Sequence, residues 1–224
     1  GAQYPGMGRD LYDKYPTAAR LFDMLDDRLR SVVFDGPSEP LNRTENTQPA
    51  LFAVDLACAL LLREGGIKPD AVAGFSLGEI PAAAFAGLLD IPDAFELVKY
   101  RASVMSEAAA ENPGVMLAVL RLDAGRVEEI CAACDGAYAV NYNCPGQTVV
   151  ACRADARGAV SAAVSSAGGR AVPLPVGGAF HSPYMRGAGD RLLGYLEKTR
   201  LSEPCVPLYS NVTAKPYGFP GTDG

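Results

Sequence analysis

Apolar residues recur three or four positions apart through much of the first half of the chain, which is typical of amphipathic helices. This spacing predicts helices over 16–29, 48–63, 82–89 and 93–110. The helix over 48–63 is apolar on nearly every side, so we expect it to be buried. The polar stretch 35–47 is predicted to be a loop, with Thr47 capping the next helix and Pro49 in its first turn.

After residue 113, short apolar runs alternate with short helical patterns. Strands are predicted over 115–120, 138–142, 148–152 and 170–176, and helices over 124–133 and 155–167. The order βαββαβ is the split arrangement of a ferredoxin-like unit, so we predict a small ferredoxin-like subdomain at 114–176. Residues 1–113 and 177–224 then form a large α/β hydrolase-like subdomain with a parallel sheet. To it belong a helix over 184–199 and a strand over 206–211.

The segment Gly74-Phe75-Ser76-Leu77-Gly78-Glu79 follows a short apolar run and precedes a helical pattern. A Gly-x-Ser-x-Gly sequence in that context predicts a nucleophile elbow. We expect a Cβ at either glycine to collide with the neighbouring strand or helix. The Ser76 hydroxyl would be presented at the end of the sheet, and the backbone N–H of Leu77 could face an oxyanion. The alternative is a glycine-rich surface turn that contains a serine by chance.

Two further side chains are candidates for chemistry. His181 is the one histidine of the chain, so an imidazole base for Ser76 can only be His181; the alternative is a structural or surface histidine. Arg101 lies on the apolar stripe of the helix over 93–110, and a guanidinium directed inward requires an anion. Alternatively, Arg101 lies at the edge of the stripe and extends to solvent.

Composition narrows the class of protein. The 224 residues are 49% hydrophobic, with a net charge of −6 and a pI of about 4.9. Because we find no run of Lys or Arg, nucleic acid and anionic lipid surfaces are unfavourable partners. The longest apolar run, 56–62, is too short to cross a bilayer, and we find no secretion signal. The six cysteines lack the spacing of a disulfide framework, which favours a reducing, cytoplasmic compartment. Cys131-x-x-Cys134 lies in a helical pattern and is weak evidence for a metal site.

Taken in order, the motifs resemble the malonyl-CoA:acyl carrier protein transacylases and the acyltransferase domains of polyketide synthases. The resemblance runs through almost the whole chain, and its strength lies in the number and order of the motifs. They are Gly1-Ala2-Gln3 with Gly6-Met7-Gly8, Asn46-Thr47-Gln48-Pro49-Ala50, Gly74-Phe75-Ser76-Leu77-Gly78-Glu79, Arg101 with Met105, Asn141-Tyr142-Asn143-Cys144-Pro145-Gly146-Gln147, Ala179-Phe180-His181-Ser182 and Ser210-Asn211-Val212-Thr213.

The resemblance implies a role for each matching residue. Ser76 is the expected nucleophile, His181 its general base and acid, and the backbone N–H groups of Gln3 and Leu77 the oxyanion hole. The expected reaction is ping-pong transfer of malonyl from malonyl-CoA to an acyl carrier protein, through an acyl-serine. No cofactor is expected to be bound, because the phosphopantetheine arm belongs to the carrier. The implied substrate-binding residues are Arg101 on the malonyl carboxylate, Phe180 against a 2-methyl branch, Gln48, Met105 and Asn143.

The chain departs from the family in three ways. Phe75 stands where the family usually has His, and Pro81 falls early in the elbow helix, so we expect an irregular helix start. The family's first strand and C-terminal segment are missing. Since that segment orients the catalytic histidine, we expect the sequence to be part of a longer protein or a larger synthase.

Two other functions remain open at this point. The first is a serine hydrolase with the same elbow, against which the inward arginine argues. The second is a docking module that has lost catalysis. If the chain binds an acidic carrier protein, a local basic patch must contribute to docking. We also expect the protein to be a monomer or a part of a larger synthase. The candidates for the patch are Arg153, Arg157, Arg170, Arg186 and Arg191.

Overall fold

The computed structural model describes residues 2–218. Gly1 and residues 219–224, which belong to the first motif and to the predicted large subdomain, lie outside the described residues. The chain divides into two compact units, Gly1–Ala102 with Gly194–Gly224, and Ser103–Leu193. The predicted small subdomain, 114–176, falls within the second unit, and its predicted boundaries stay a prediction.

The first unit is mainly helical. Its helices are α1 (Arg9–Lys14), α2 (Pro16–Phe22), α3 (Asp27–Asp35), α4 (Ser38–Leu41), α5 (Thr44–Glu64), α6 (Glu79–Phe85) and the first part of α7 (Ile91–Glu111). Helix α5 buries nine of its 21 residues, and the Phe52 ring packs 5.8 Å from that of Phe95. The predicted burial of this helix is confirmed only in part, because Cys58 and Leu62 are exposed. The large buried side chains of this unit therefore gather around one central helix.

Two of the sequence predictions for this region are wrong. The predicted helix over 16–29 is two helices, because the Asp26 side chain accepts a hydrogen bond from the Leu29 N–H at 2.7 Å and starts α3 there. The predicted loop over 35–47 contains α4 and the start of α5. Thr47 lies inside α5, where its hydroxyl donates to the Leu41 carbonyl oxygen, so it is not the cap.

A parallel pair of short strands completes the first unit. Strand β1 (Val72–Ala73) pairs with β6 (Leu208–Tyr209), and Val72 lies opposite Leu208. Because the strands are parallel, the chain leaving β1 and the chain leaving β6 emerge at the same edge. In open α/β sheets, ligands bind at that edge.

The second unit contains an antiparallel sheet. Its elements are β2 (Gly114–Leu120), α8 (Ala124–Ala133), β3 (Ala137–Cys144), β4 (Gln147–Arg153), α9 (Arg157–Ser166), β5 (Arg170–Pro173) and most of α10 (Arg186–Leu196). The spatial order is β3-β4-β2-β5, with every neighbouring pair antiparallel. Residues of α8 and α9, such as Val127 and Val160, form one core with Leu117 and Val150 of the sheet. The βαββαβ order predicted from the sequence is therefore confirmed.

Every helix in the described part of the chain is too short or too polar to span a bilayer.

Candidate active site

The serine of the Gly-x-Ser-x-Gly sequence lies in the turn between β1 and α6. It begins a 3₁₀ turn, Ser76–Gly78, that leads into α6, so the predicted irregular start of the helix is confirmed. The backbone of Ser76 is left-handed, with φ of 53°. For a residue other than glycine this geometry costs roughly 1–3 kcal/mol, and such strain is concentrated at functional sites. The serine is therefore held in a conformation that the surrounding structure must enforce.

The two elbow glycines have different roles. A Cβ on Gly74 would lie 1.9 Å from the carbonyl carbon of Gly78, so a side chain cannot be accommodated there. A Cβ on Gly78 would meet no atom of residues 2–218 within 4 Å. The expectation that a Cβ at either glycine would collide with its surroundings is confirmed for Gly74 and wrong for Gly78. The Gly78 backbone is what a Cβ on Gly74 would strike.

Arg101 reaches the serine from α7. Its guanidinium donates to the Ser76 Oγ at 3.1 Å and to the Gln48 Oε1 at 2.5 Å. The Gln48 amide is oriented by its own donation to the Thr44 hydroxyl at 2.8 Å. The predicted inward direction of Arg101 is therefore confirmed, and the alternative that it extends to solvent is wrong.

Burial lowers the pKa of Arg101 to about 10, and the charge of Glu79 opposes this shift. The guanidinium stays protonated at neutral pH, because even the lowered pKa is well above 7. A largely buried cation beside a hydroxyl is a site for a small anion attached to that hydroxyl.

Three side chains at the elbow were given no role from the sequence, although Glu79 and Asn211 belong to motifs of the resemblance. The Asn211 Oδ1 accepts from the Ser76 N–H at 2.7 Å, and its amide group donates to the Gly74 carbonyl oxygen. The Glu79 carboxylate accepts from the Asn211 N–H at 3.0 Å and from the Tyr217 hydroxyl at 2.7 Å. Asn211 lies two residues past the end of β6. The available signal was its place in the Ser210-Asn211-Val212-Thr213 motif.

The remaining predicted residues of the first unit differ in position. Leu77 directly follows Ser76, and its side chain is buried. The Gln3 side chain donates to the Asn42 Oδ1 at 2.8 Å, and its Oε1 is buried without a hydrogen bond from residues 2–218. The role predicted for Gln3, donation from its backbone N–H to the oxyanion, stays a prediction. Phe75 is 66% exposed, so an apolar ring projects beside the serine.

The other four predicted residues belong to the second unit. His181 is exposed and has a left-handed backbone with φ of 63°. Phe180 packs against a cluster that includes Met116 and Ala179. Asn143 is exposed near the end of β3, and Met105 is half-buried on α7. The catalytic and binding roles of these four residues stay predictions.

Two of the five candidate basic residues are already paired within the second unit. Arg153 lies 3.1 Å from Asp135 and 3.1 Å from Asp155, and Arg191 lies 2.6 Å from Glu107. These carboxylates reduce the positive charge that Arg153 and Arg191 can offer to an acidic partner.

Cys131 of the Cys131-x-x-Cys134 sequence lies on α8, and Cys134 is the C-cap residue of that helix. Within residues 2–218, no group of three or more His, Cys, Asp or Glu side chains is arranged to hold a metal ion. Burial raises the pKa of Cys131 to about 11, so its thiol is protonated at neutral pH. Cys131 is therefore poorly suited to thiolate chemistry.

The fold and the elbow define a class. A strained serine in a turn between a strand and a helix is the geometry of the nucleophile elbow, which α/β enzymes use to attack acyl groups. The sequence pattern of the acyl transferase domain matches residues 1–221, and the chain belongs to that family.

Individual relatives and solved structures place the chain among a narrower group of acyl transferases. The chain is 38% identical over 223 residues to the malonyl CoA-acyl carrier protein transacylase of Bacillus subtilis (strain 168), and the match covers 96% of this chain and 70% of the relative. A malonyl-transacylase solved in complex with its type II polyketide synthase acyl-carrier protein superposes with a TM-score of 0.92 at 35% identity, over 98% of this chain and 74% of that one. The acyltransferase domain from the second module of the salinomycin polyketide synthase superposes with a TM-score of 0.88 at 35% identity, over 98% of this chain and 52% of that one.

Proposed function

We propose that this chain transfers a malonyl group from malonyl-CoA to the phosphopantetheine thiol of an acyl carrier protein, for fatty-acid or polyketide synthesis. The names of its relatives support the substrate pair. The observation that carries the proposal is the position of the Arg101 guanidinium, 3.1 Å from the Ser76 hydroxyl. In a malonyl ester, the free carboxylate is separated from the ester carbonyl by a single methylene. A cation that binds this carboxylate must therefore lie close to the serine oxygen, as Arg101 does.

The first half of the reaction forms the acyl-enzyme. The Ser76 oxygen attacks the thioester carbonyl, and His181 takes the hydroxyl proton. The oxyanion is held by the backbone N–H groups of Leu77 and Gln3. When the tetrahedral intermediate collapses, the C–S bond breaks, and His181 returns the proton to the departing coenzyme A thiolate.

The second half repeats these steps in reverse. His181 takes the proton of the carrier's phosphopantetheine thiol, and the sulfur attacks the ester carbonyl. The C–O bond to Ser76 breaks, and the proton passes to the serine oxygen. The carrier leaves as the malonyl thioester, so no bound cofactor takes part in these steps.

Substrate selection rests on the acyl pocket. Arg101 pairs with the malonyl carboxylate in a charge-assisted contact, and Gln48 fixes the guanidinium plane. From the resemblance, we assign Phe180 to the exclusion of a branched acyl group, and Met105 and Asn143 to contact with the substrate. A serine hydrolase would need no such cation, because a simple acyl chain ends in a neutral group.

The test is intact-protein mass after brief incubation with malonyl-CoA, beside acetyl-CoA and the Ser76→Ala variant. We expect a malonyl adduct on the native protein and none on the variant. Addition of a holo acyl carrier protein should then move the adduct to the carrier faster than water removes it. Hydrolysis that outpaces transfer would favour the hydrolase, and a folded protein without an adduct would favour the docking module.

A further inference from the structure

Asn211 contacts the backbone on both sides of the nucleophile. Its Oδ1 accepts from the Ser76 N–H at 2.7 Å, and its Nδ2 donates to the Gly74 carbonyl oxygen. One amide side chain therefore bridges the two peptide groups between which the strand turns into the helix. An amide is suited to this position because it offers an acceptor and a donor at once.

The topology explains how Asn211 reaches the elbow. Strands β1 and β6 are parallel, with Ala73 opposite Tyr209. Asn211 is two residues past the end of β6, and Ser76 is three residues past the end of β1. Because parallel strands end at the same edge, the two loops emerge side by side.

Asn211 is itself held in place from α6. The Glu79 carboxylate accepts from the Asn211 backbone N–H at 3.0 Å and from the Tyr217 hydroxyl at 2.7 Å. Burial and the hydrogen bond to Glu79 raise the pKa of Tyr217, so its hydroxyl remains a donor at neutral pH. The loop after β6 is thereby tied to the first turn of the elbow helix.

We propose that Asn211 is a positioning residue for the nucleophile. Its amide keeps Ser76 in the left-handed conformation that aims Oγ at the acyl carbonyl. It also engages the Ser76 N–H, so that the oxyanion is bound by the N–H of Leu77 and not by that of the serine. This inference rests on the proposed function, since it assumes that Ser76 is acylated.

The ionisable groups that contact the Asn211 segment or Ser76 include Glu79, Tyr217 and Arg101. All three are retained when Asn211 alone is changed. For the uncharged Asn211→Ala variant, comparison with the native protein at the same pH therefore cancels their titration and that of His181. In Asn211→Asp, the new carboxyl and Glu79 titrate as a coupled pair.

The experiment measures the rate of acyl-enzyme formation from malonyl-CoA for Asn211→Ala and Asn211→Asp. We expect Asn211→Ala to slow acylation by about 10- to 100-fold, because small misplacements of reacting atoms cost that much. The KM for malonyl-CoA should change little, since the contacts of Arg101 are retained. The carboxylate of Asn211→Asp can still accept from the Ser76 N–H but opposes the Gly74 carbonyl oxygen. On protonation it regains the donor.

The distinguishing readout is the pH profile. Between about pH 8.5 and about pH 5.5, the rate of Asn211→Asp relative to the native protein should rise as the pH falls, because a carboxyl beside Glu79 and a carbonyl has a raised pKa. The relative rate of Asn211→Ala should be flat. Asn112→Asp is a matched control: Asn112 donates to the Ala108 carbonyl oxygen at the end of α7, and the change should leave acylation unaltered at every pH.

Several results would overturn the proposal. Native-like acylation by Asn211→Ala would do so, as would a low but flat relative rate for Asn211→Asp, which indicates a merely structural role. If Asn211→Ala does not fold, the profile of the nearly isosteric Asp variant decides. An adduct on the native protein together with unaffected variants refutes only this inference, whereas a native protein without an adduct refutes the proposed function as well.

Discussion

Replacement of Arg101 by alanine is the most informative single change, because it separates recognition of malonyl from the chemistry of the serine. The guanidinium is largely buried, and its two hydrogen bonds to Ser76 and Gln48 fix its position. In the acyl-enzyme, we expect it to bind the malonyl carboxylate through two charge-assisted hydrogen bonds. Acetyl-CoA has no such carboxylate and cannot gain from the pair.

The magnitude follows from the strength of these bonds. A hydrogen bond to a charged group contributes about 1.5–3 kcal/mol, and removing one partner leaves the other without compensation. For two such bonds we expect a loss of about 3–6 kcal/mol, which is roughly a 10²- to 10⁴-fold fall in kcat/KM for malonyl-CoA. Arg101→Lys should retain part of the rate, because an ammonium keeps the charge but not the bidentate geometry.

The assay compares acyl-enzyme formation from malonyl-CoA with that from acetyl-CoA, for the native protein and Arg101→Ala. The preference for malonyl should collapse by the factor given above, while thermal unfolding shows whether the fold is retained. Arg126→Ala is the matched control, since Arg126 is half-exposed and pairs with Glu129 on α8. If Arg101→Ala kept the native preference to within about threefold, the carboxylate argument would be refuted.

Three further predictions concern local structure. Gly74→Ala should abolish soluble, folded protein, because its Cβ would lie 1.9 Å from the Gly78 backbone. Gly78→Ala should unfold at close to the native temperature, and equal tolerance of the two changes would contradict this prediction. At about pH 8 an alkylating reagent should modify exposed Cys205 before buried Cys131, because a pKa of about 11 keeps Cys131 a thiol. Peptide mass mapping measures the order of modification, and modification of Cys131 first would contradict this prediction. Asp26→Ala should lower stability by about 1 kcal/mol, or roughly 2–4 °C in Tm, through loss of the cap on α3, and an unchanged Tm would contradict this.

Local patterns predicted the regular elements well where one apolar period ran without interruption. The helix over 93–110 corresponds to α7 (Ile91–Glu111), and the helix over 124–133 coincides with α8. The prediction over 16–29 failed although the period continued, because α2 ends at Phe22 and the Asp26 side chain starts a new helix, α3. A capping aspartate and a solvent-exposed aspartate look the same in a sequence.

The candidate site was predicted only in part. The Gly-x-Ser-x-Gly segment indicated Ser76, and an arginine on an apolar stripe indicated Arg101, because both signals lie within a few neighbouring residues. Asn211 was missed as a functional residue, since its contacts are 135 and 137 positions away in the chain. Nothing adjacent to Asn211 in the sequence reports which backbone groups it will bond.

The sequence by itself determined the elements, the elbow and the chemistry that a serine, a histidine and an inward arginine can perform. These features depend on residue types at short spacing, and short-range sterics and hydrogen bonds govern them. Only the tertiary structure decided which side chain stabilises the strained serine, and which atoms the buried guanidinium contacts. The physical reason is that pairing of β1 with β6, and packing of α7 beside α5, bring together groups that no local pattern relates.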